Sequence, residues 1–346
     1  MIEIDGSYGE GGGQILRTAA ALSVLLNKEV SIKRIRVKRP NPGLRPQHLT
    51  ALNILKELSN AETKGLSVGS LNVYFSPKNF VGGEYVFDVG TAGSVTLVFQ
   101  TVLLASLRSS EPFSLKVKGG TDVKWSPTWD YFTRVFLPLV KRLGVNVEVE
   151  LNRRGFYPKG GGEVRMTVSP AETFSPFRAD EPQRYSRVEG TVAISRLPDH
   201  ISDRVKHTLM RFFISKSMDA EFFVERDDKS LSEGVVVTLW SESQETVVGS
   251  TMLGERGLPA EKLAKGCAES LMKEVEAKVS LDVHATDQLL PYIAFVASEQ
   301  QETSTFLTRE LSGHTQTNMW LLEKFLPVRF EAKDFGGFKR VEVKPV

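Results

Sequence analysis

Apolar and polar positions alternate over short segments of this chain, and the same pattern occurs three times. Each occurrence is a short alternating run that ends in aspartate, followed by a turn and a long apolar stretch. The stretches are IEIDGSYGEGGGQILRTAAALSVL (2–25), YVFDVGTAGSVTLVFQTVLLAS (85–106) and VSLDVHATDQLLPYIAFVAS (279–298). Period-two alternation is typical of a half-buried strand, whereas apolar residues three or four apart indicate a helix. The pattern predicts strands that end at Asp5, Asp88 and Asp282, each followed by a helix.

The similarity continues downstream of each predicted helix. A second strand is predicted in KEVSIKRIRVKR, EPFSLKVKGG and TSTFLTREL, and a second helix in RPQHLTALNILKELS, SPTWDYFTRVFLPLVKRLG and GHTQTNMWLLEKFL. Two closing strands complete each unit, the last being LNVYFSP, GGEVRMTVSP and FKRVEVKP. The sequence therefore predicts an α/β (α+β) fold in which three β-α-β-α-β-β repeats form a large domain.

The third repeat starts later than the spacing of the first two predicts. The interval from Asp88 to Asp282 is more than twice that from Asp5 to Asp88, so a segment is inserted before Asp282. This segment contains four predicted strands and two predicted helices, and a linker rich in Pro, Ser and charge marks its start. We expect residues 1–175 (repeats one and two) and 279–346 (repeat three) to form the large domain. Residues 176–278 are expected to form an inserted small α/β domain.

Composition narrows the class of protein. Of the 346 residues, 41% are hydrophobic and 25% are charged, as in ordinary globular domains. No apolar run approaches the length of a membrane span, and the sequence opens on a strand pattern without a basic-then-apolar leader. The single cysteine, Cys267, cannot form an internal disulfide. These features predict a cytoplasmic protein.

Basic residues are concentrated in one short run, although the net charge is only +2. The segment KRIRVKRPNPGLR (33–45) contains six Lys and Arg residues and no acidic residue. Taken alone, such a run is more often a solvated strand edge than a functional site. The alternative is a strip that binds anions.

The glycine run after the first strand also has two interpretations. Gly11, Gly12 and Gly13 precede a helix whose N-terminal N–H groups favour anions. The string lacks the Lys-Ser/Thr of a Walker A loop and does not fit G-x-G-x-x-G, because Gln14 occupies the last position. A tight turn is therefore the default. A carboxylate repels a phosphate unless a cation lies between them. Glu10 therefore favours a phosphate site that includes Mg²⁺ or Mn²⁺, for which a carboxylate oxygen is a suitable ligand. The alternative is an ordinary glutamate at a helix N-terminus.

Two of the five histidines occupy equivalent positions. His48 and His314 both stand at the start of the second helix of their repeat. The positive end of a helix disfavours the imidazolium form, and a neutral imidazole can act as a nucleophile. Taken singly, either histidine is more often a capping or core residue.

Several long motifs resemble those of the RNA 3′-terminal phosphate cyclase family. They are DGSYGEGGGQILR at the start, PGLRPQHLTA (42–51), GTAGSVTLV (90–98), RRGFYPKGGGEV (153–164), ATDQLL (285–290) and GHTQTN (313–318). The resemblance extends over essentially the whole chain. It implies a large domain of three β-α-β-α-β-β units, like those of the C-terminal domain of translation initiation factor three, with a small α/β insert.

The resemblance also implies a reaction. Members of the family use ATP to convert an RNA 3′-phosphate into a 2′,3′-cyclic phosphate, releasing AMP and pyrophosphate. His314 corresponds to the nucleophile, which forms a phosphoramidate with AMP and passes the AMP to the RNA 3′-phosphate. The 2′-hydroxyl then attacks the activated phosphate and expels AMP.

Further site residues follow from the same resemblance. Glu10 matches the metal ligand, for Mg²⁺ or Mn²⁺. The residues that match the phosphate-handling set are Arg17, Arg36, Arg39, Gln47 and His48. Those expected to bind the nucleotide are Asp287, Gln288, His284, Gln100, Gly11, Gly12 and Gly13. His284 stands where the family has an aromatic ring near the adenine, so weaker stacking is expected; Pro127, Thr128 and Trp129 are candidates for the opposite wall.

Two other functions are compatible with parts of the sequence pattern. A non-catalytic, cyclase-like ribosome-assembly factor would keep the fold but lack the nucleophile, and His314 in GHTQTN argues against it. An enolpyruvyl-type transferase also uses such repeats, but its architecture alone does not fix a function. We expect ATP and an RNA with a 3′-phosphate end as partners, no membrane, and allow for a homo-oligomer.

Overall fold

The computed structural model describes residues 1–346 and contains four sheets of four strands each. The first repeat forms one sheet, in the order β1-β2-β4-β3, with β1 and β2 parallel and the other pairs antiparallel. Its elements are β1 (Ile2–Asp5), α1 (Gly13–Leu26), β2 (Val30–Lys33), α2 (Pro46–Leu58), β3 (Glu62–Lys64) and β4 (Val73–Ser76). Alternating buried and open positions on β2 and β4 leave one face of this sheet for the helices.

The second repeat has the same topology, in the order β5-β6-β8-β7. Its second helix is continuous but changes to π-helical geometry in the middle. Its elements are β5 (Gly83–Asp88), α3 (Val95–Ala105), β6 (Phe113–Gly119), α4 (Trp129–Tyr131), a π-helical segment (Phe132–Phe136), α5 (Leu137–Arg142), β7 (Asn146–Arg153) and β8 (Gly162–Ser169).

The third repeat is interrupted after its first strand. Its large-domain elements are β9 (Arg178–Ala179), α8 (Val283–Gln300), β14 (Ser304–Thr308), α9 (Gly313–Phe325), β15 (Val328–Asp334) and β16 (Lys339–Pro345). They form a sheet in the order β9-β14-β16-β15, which matches β1-β2-β4-β3, with β9 parallel to β14. The predicted strand ending at Asp282 is therefore wrong. Asp282 is the N-cap of α8, and its carboxylate accepts hydrogen bonds from Ala285 N (2.8 Å), Gly249 N and Tyr131 Oη.

The segment between β9 and α8 forms a sheet of its own. Its elements are β10 (Arg187–Ser195), α6 (Asp199–Ser215), β11 (Asp219–Arg226), β12 (Gly234–Glu242), β13 (Val247–Leu253) and α7 (Ala260–Glu276). The order is β11-β10-β12-β13, and α6 and α7 pack together against it. Most buried apolar side chains of this unit form a hydrophobic cluster separate from that of the three repeats, with Leu307 of β14 added. Trp240 and Val247 instead belong to the cluster of the repeats.

Helices from all three repeats meet inside the large domain. α1 packs against α2, α3 and α9, and α8 packs against α9 and α3. The apolar faces predicted from the sequence are buried: Ala19 to Leu22 of α1 and Ile293 to Val296 of α8 have at most 1% of their surface exposed. This packing brings the N-terminal end of α1 close to those of α2 and α9. None of the helices is long and apolar enough to cross a membrane.

Candidate active site

The loop between β1 and α1 lies against the first turns of α9. Asp5 fixes the start of this loop by accepting hydrogen bonds from the backbone N–H and hydroxyl of Ser7, at 2.9 and 2.7 Å. Gly9 has φ +53, and a Cβ there would lie 2.3 Å from Thr317 Oγ1. Glycine is required here because it adopts a positive φ readily and has no Cβ to collide with Thr317. The ring of Tyr8 stacks on that of Trp320, with 3.8 Å between centroids. The loop is therefore held on α9 at two points.

Glu10 and His314 face each other across this contact. His314 Nε2 lies 3.3 Å from Glu10 Oε2, and both side chains are a little over 40% exposed. His314 is the second residue of α9, directly after Gly313. A Cβ at position 313 would lie 2.5 Å from Glu10 Oε1, so glycine leaves the space that Glu10 occupies. The pair is open to solvent at the positive end of a helix.

Asp287 holds the first turn of α9 in position. Its Oδ1 accepts hydrogen bonds from Ser312 Oγ, at 2.6 Å, and from Thr315 Oγ1. Ser312 is itself the N-cap of α9 and accepts a bond from Thr315 N. Asn318 Nδ2 donates to the backbone carbonyl of Asp287 at 3.0 Å. Burial raises the pKa of Asp287, although the two hydroxyls that donate to the carboxylate oppose that shift.

The other residues expected to bind the nucleotide lie on or near α8. Gln288 Oε1 accepts a hydrogen bond of 2.6 Å from Gln100 Nε2, which joins α8 to α3. His284 is exposed in the first turn of α8. The three candidates for the adenine wall, Pro127, Thr128 and Trp129, are buried.

A basic cluster surrounds the N-terminus of α1. His48 is 3% exposed, and a Cβ at Gly13 would lie 2.2 Å from its Nε2. The Nδ1 atom accepts a hydrogen bond from Arg45 N at 3.2 Å, so in the neutral imidazole Nε2 carries the hydrogen and faces α1. Burial, helped by Arg17, Arg36 and Arg45, lowers the pKa of His48 to about 3. The ring is therefore neutral at pH 7.

Arg17 lies beside His48 without an acidic partner. Burial and the neighbouring charge of Arg36 lower the pKa of Arg17 to about 10, and no carboxylate offsets either effect. A guanidinium with this value is still cationic at pH 7. Concentrated positive charge without compensation favours an incoming anion. The structure thus brings Arg17, Arg36 and His48 together at the N-terminus of α1, where the helix dipole adds to their charge.

Arg36 and Arg39 do not lie on a strand, contrary to the sequence prediction for KEVSIKRIRVKR. β2 ends at Lys33, and the chain turns through Arg36, whose φ is +53. Arg36 Nη1 donates to the carbonyls of Asn41 (2.7 Å) and Gly43 (2.9 Å), so this guanidinium also closes its own loop. Arg39 Nη2 donates to the carbonyl of Glu10 at 3.2 Å and lies 3.6 Å from its carboxylate. The bend brings Arg39 to Glu10.

Gln47 lies at the boundary between the first and second repeats. Its Oε1 accepts a hydrogen bond from Ser94 N at 2.9 Å, and a Cβ at Gly93 would lie 2.9 Å from its own Cβ. The side-chain oxygen of Gln47 therefore satisfies the backbone N–H of Ser94, the N-cap residue of α3. The 90–94 loop is held beside the basic cluster by this bond.

Comparison with known proteins agrees with the motifs. A family model described as RNA 3′-terminal phosphate cyclase matches residues 8–332. The protein of that name from Nitrosospira multiformis is 42% identical over all of this chain and 97% of its own length. The protein of the same name from Methanopyrus kandleri is 41% identical over 100% of this chain and 99% of its own length. The one from Archaeoglobus fulgidus is 43% identical over 96% of this chain and 98% of its own length. The chain belongs to the RNA 3′-terminal phosphate cyclase family. The family resemblance predicted from the motifs is therefore confirmed.

The protein offers few donors for a metal ion near the basic cluster. No group of three or more His, Cys, Asp or Glu side chains is arranged to hold a metal by itself. Glu10 supplies one exposed carboxylate next to a basic cluster. Mg²⁺ is commonly held by one or two carboxylates together with substrate phosphates. A single protein carboxylate fits a metal ion whose remaining ligands are phosphate oxygens and water.

Some residues that shape the candidate site gave no signal in the sequence. Ser312 and Thr315 fix Asp287 and the start of α9, and Tyr8 with Trp320 fixes the glycine loop. Ser312 and Thr315 follow the ordinary pattern of a helix N-cap. Their role in the site depends on the packing of α8 against the start of α9, which their own sequence does not indicate. The Tyr8–Trp320 stack joins the first repeat to the third, and nothing local in the sequence indicates that pairing.

Proposed function

We propose that this chain converts an RNA 3′-terminal phosphate into a 2′,3′-cyclic phosphate at the expense of ATP. Family membership supports the reaction class. The observation that carries the assignment to particular residues is the His314–Glu10 contact of 3.3 Å at an exposed helix N-terminus beside a basic cluster. An exposed imidazole next to a carboxylate and several cations suits attack on a polyphosphate.

In the first step a ring nitrogen of His314 attacks the α-phosphorus of ATP. The N–P bond forms, the bond to the bridging oxygen breaks, and pyrophosphate leaves. Positive charge develops on the imidazole, and the Glu10 carboxylate, 3.3 Å from Nε2, stabilises it. The negative charge of the departing pyrophosphate is stabilised by cations. The product is a histidine–AMP phosphoramidate.

In the second step an oxygen of the RNA 3′-phosphate attacks the phosphorus of the adduct, and His314 is released. The RNA then ends in a phosphoanhydride to AMP. In the third step the neighbouring 2′-hydroxyl attacks the 3′-phosphorus, loses its proton and expels AMP. This step uses a nucleophile of the RNA itself, so it does not require His314.

The basic cluster is assigned to the phosphates. Arg17 offers an uncompensated charge, Arg39 contacts Glu10 of the glycine loop, and His48 offers a neutral N–H donor. We assign Gln47 and Arg36 to the same set, and the N–H groups of residues 11–13 at the start of α1 as further donors. We assign four residues on or next to α8 to the nucleoside of ATP: Asp287, Gln288, Gln100 and His284.

Glu10 is assigned as the protein ligand of Mg²⁺ or Mn²⁺. When bound, such an ion would neutralise triphosphate charge and orient the leaving pyrophosphate. Arg39, at 3.6 Å from the same carboxylate, keeps Glu10 at the mouth of the basic cluster.

A synthetic RNA with a 3′-phosphate end tests the proposal. We expect the native chain with ATP to produce a 2′,3′-cyclic end and His314→Ala to produce none. A chemically prepared RNA-adenylate should still cyclise with His314→Ala. If the native chain forms no cyclic end, the non-catalytic assembly-factor alternative is favoured.

A further inference from the structure

The two most exposed large apolar side chains of the chain lie on neighbouring loops. Trp125 is 95% exposed and Tyr157 is 76% exposed. The 121–128 loop and the 153–161 loop run side by side, with a parallel bridge between Asp122 and Phe156. An indole left almost wholly in water is uncommon, and two such aromatics on adjacent loops form a surface that nothing in the fold covers.

The backbone holds this aromatic surface in a defined shape. Trp125 has φ +61, a conformation that bulky residues adopt only where neighbouring structure imposes it. Ser126 Oγ donates to the carbonyl of Val123 at 2.9 Å and Gly160 N to the carbonyl of Phe156 at 2.8 Å. Phe156 is buried against Gly234 of the inserted unit. The two rings are therefore presented on braced loops.

The surface is continuous with the phosphate-handling cluster. A Cβ at Gly160 would lie 2.7 Å from the Cα of Ala92, so the 153–161 loop contacts the 90–94 loop. The 90–94 loop is bonded to Gln47 through Ser94 N. A chain of contacts thus leads from Gln47, next to His48, across the 90–94 loop to the loops that carry Tyr157 and Trp125.

One unpaired cation lies next to the aromatic surface, whereas Lys124, beside Trp125, is paired with Glu255 at 2.9 Å. Lys159 is exposed and forms no ion pair, while its backbone N–H is fixed by Ser232 Oγ at 3.2 Å. Aromatic side chains that stack bases, together with cations that follow the backbone, are the usual means of holding single-stranded nucleic acid. An apolar protein partner would not require the lysine or the connection to the phosphate site.

We propose that Trp125 and Tyr157 form a stacking platform for the bases of the RNA upstream of its 3′-phosphate, with Lys159 on its backbone. This inference rests on the proposed function, because it takes the 3′ end to lie in the basic cluster. The platform acts on the RNA only, so it distinguishes substrates by length. An RNA too short to extend from Gln47 to Tyr157 gains nothing from it.

The test compares Trp125→Ala, Tyr157→Ala and Trp125→Phe with the native chain. Binding of a 3′-phosphorylated RNA of about ten nucleotides is measured by fluorescence anisotropy, and that of a dinucleotide 3′-phosphate by competition. We expect each alanine variant to raise the Kd of the long RNA roughly ten-fold, Trp125→Phe to restore most of the affinity, and the dinucleotide to be unaffected. Phe335→Ala, at an aromatic 56% exposed on the β15–β16 hairpin, is the matched control.

The rate of AMP transfer to the protein from ATP alone is measured on the same variants. We expect it to be unchanged. A matching loss in that rate would assign the aromatics to the nucleotide pocket and overturn the proposal, as would equal losses for long and short RNA or no loss for either. If the proposed function fails instead, no adduct forms in any variant, whereas the anisotropy comparison still reports on RNA binding.

Discussion

At the scale of single residues, His48 differs from His314 in what surrounds it. His48 is buried among arginines and neutral, whereas His314 is open to solvent beside a carboxylate. The two occupy equivalent positions in their repeats, and the sequence made both candidates for the nucleophile. Burial separates them: a ring that is 3% exposed has no free approach for a phosphorus centre, but its N–H can still donate to a phosphate oxygen.

The buried His48 predicts a pH dependence of stability. Its pKa in the folded chain, about 3, is lower than the ordinary 6.5, so between these values the unfolded chain binds a proton that the folded chain does not. The free energy of unfolding is therefore unaffected by protonation of His48 above pH 6.5. It decreases as the pH falls from 6.5 towards 3, by about 1.4 kcal/mol per pH unit at most. Denaturant unfolding at pH 7.5, 6 and 5 should show a steeper loss for the native chain than for His48→Gln. Parallel curves would contradict this account.

Glu10 predicts a dependence on metal concentration. Glu10→Gln keeps an oxygen near His314 but removes the charge, so transfer of AMP to the protein should slow about ten-fold or more at limiting Mg²⁺ and recover partly at high Mg²⁺. Glu3→Gln, which neutralises an exposed carboxylate paired with Lys33, is the control and should behave as the native chain. An unchanged metal response in Glu10→Gln would leave Glu10 as a partner of His314 and Arg39 only.

At the scale of elements, the start of α9 depends on a glycine for reasons of space. Gly313 begins the helix without a positive φ, so alanine is compatible with the backbone, but its Cβ would lie 2.5 Å from Glu10 Oε1. Glu10 has a flexible side chain and can move away at little energetic cost. The fold is then retained while the Glu10–His314 contact is lost.

We therefore expect Gly313→Ala to keep the native melting temperature or raise it slightly, since alanine favours a helix. Its rate of AMP transfer should fall about ten-fold, equivalent to roughly 1.4 kcal/mol of barrier. Gly337→Ala, where a Cβ meets nothing within 4 Å, serves as the matched substitution and should change neither quantity. A native transfer rate in Gly313→Ala would mean that the position of Glu10 does not matter.

The elements that sequence patterns predicted best are the long amphipathic ones. α1, α2, α8, α9 and both helices of the insert occur where periodicity indicates them, because burial of an apolar face is a local property of the pattern. The strand prediction failed at 34–39, where the chain bends although its residues alternate. It failed again before Asp282, because the edge position beside β14 is taken by Arg178 and Ala179, which lie far away in sequence. Neither the bend nor the distant edge strand is indicated by the local sequence pattern.

At the scale of the whole molecule, the inserted unit is joined to the repeats through an ion network centred on a buried arginine. Arg154, 1% exposed, contacts Asp122 (3.2 Å) and Asp130 (2.9 Å) of the second repeat and Glu225 (2.7 Å) of β11. Its backbone N–H donates to Asp227. The motif RRGFYPKGGGEV thus fixes the insert as well as the loop that carries Tyr157. The sequence indicated an insert but gave no sign of what attaches it.

Replacing this arginine should destabilise the molecule strongly. Arg154→Met leaves Asp122 and Asp130 buried without a cation, and such losses cost about 3–5 kcal/mol. Arg204→Met, which removes an exposed pair with Glu261, is the control and should have a far smaller effect. Unfolding in urea measures both. If the two variants were equally stable, the network would not be what holds the insert.

The site itself could be predicted only in part, since it is assembled from all three repeats. The sequence placed Glu10, His48 and His314 at the starts of helices, but their distances depend on how α1, α2 and α9 pack. The Glu10–His314 contact joins residues more than three hundred positions apart. Resemblance to a family supplied the roles, and the packing of helix N-termini supplies the geometry that makes them chemically reasonable.

The whole proposed reaction depends on covalent attachment of AMP to His314, which labelling of the protein measures. The native chain, His314→Ala and His207→Ala, a histidine exposed on α6, are incubated with α-labelled ATP and Mg²⁺ and then denatured. We expect labelled protein for the native chain and His207→Ala, with a label that is stable in alkali and released by acid, as a P–N bond requires. We expect no label for His314→Ala. Label that persists in His314→Ala, or is absent from the native chain, would contradict it.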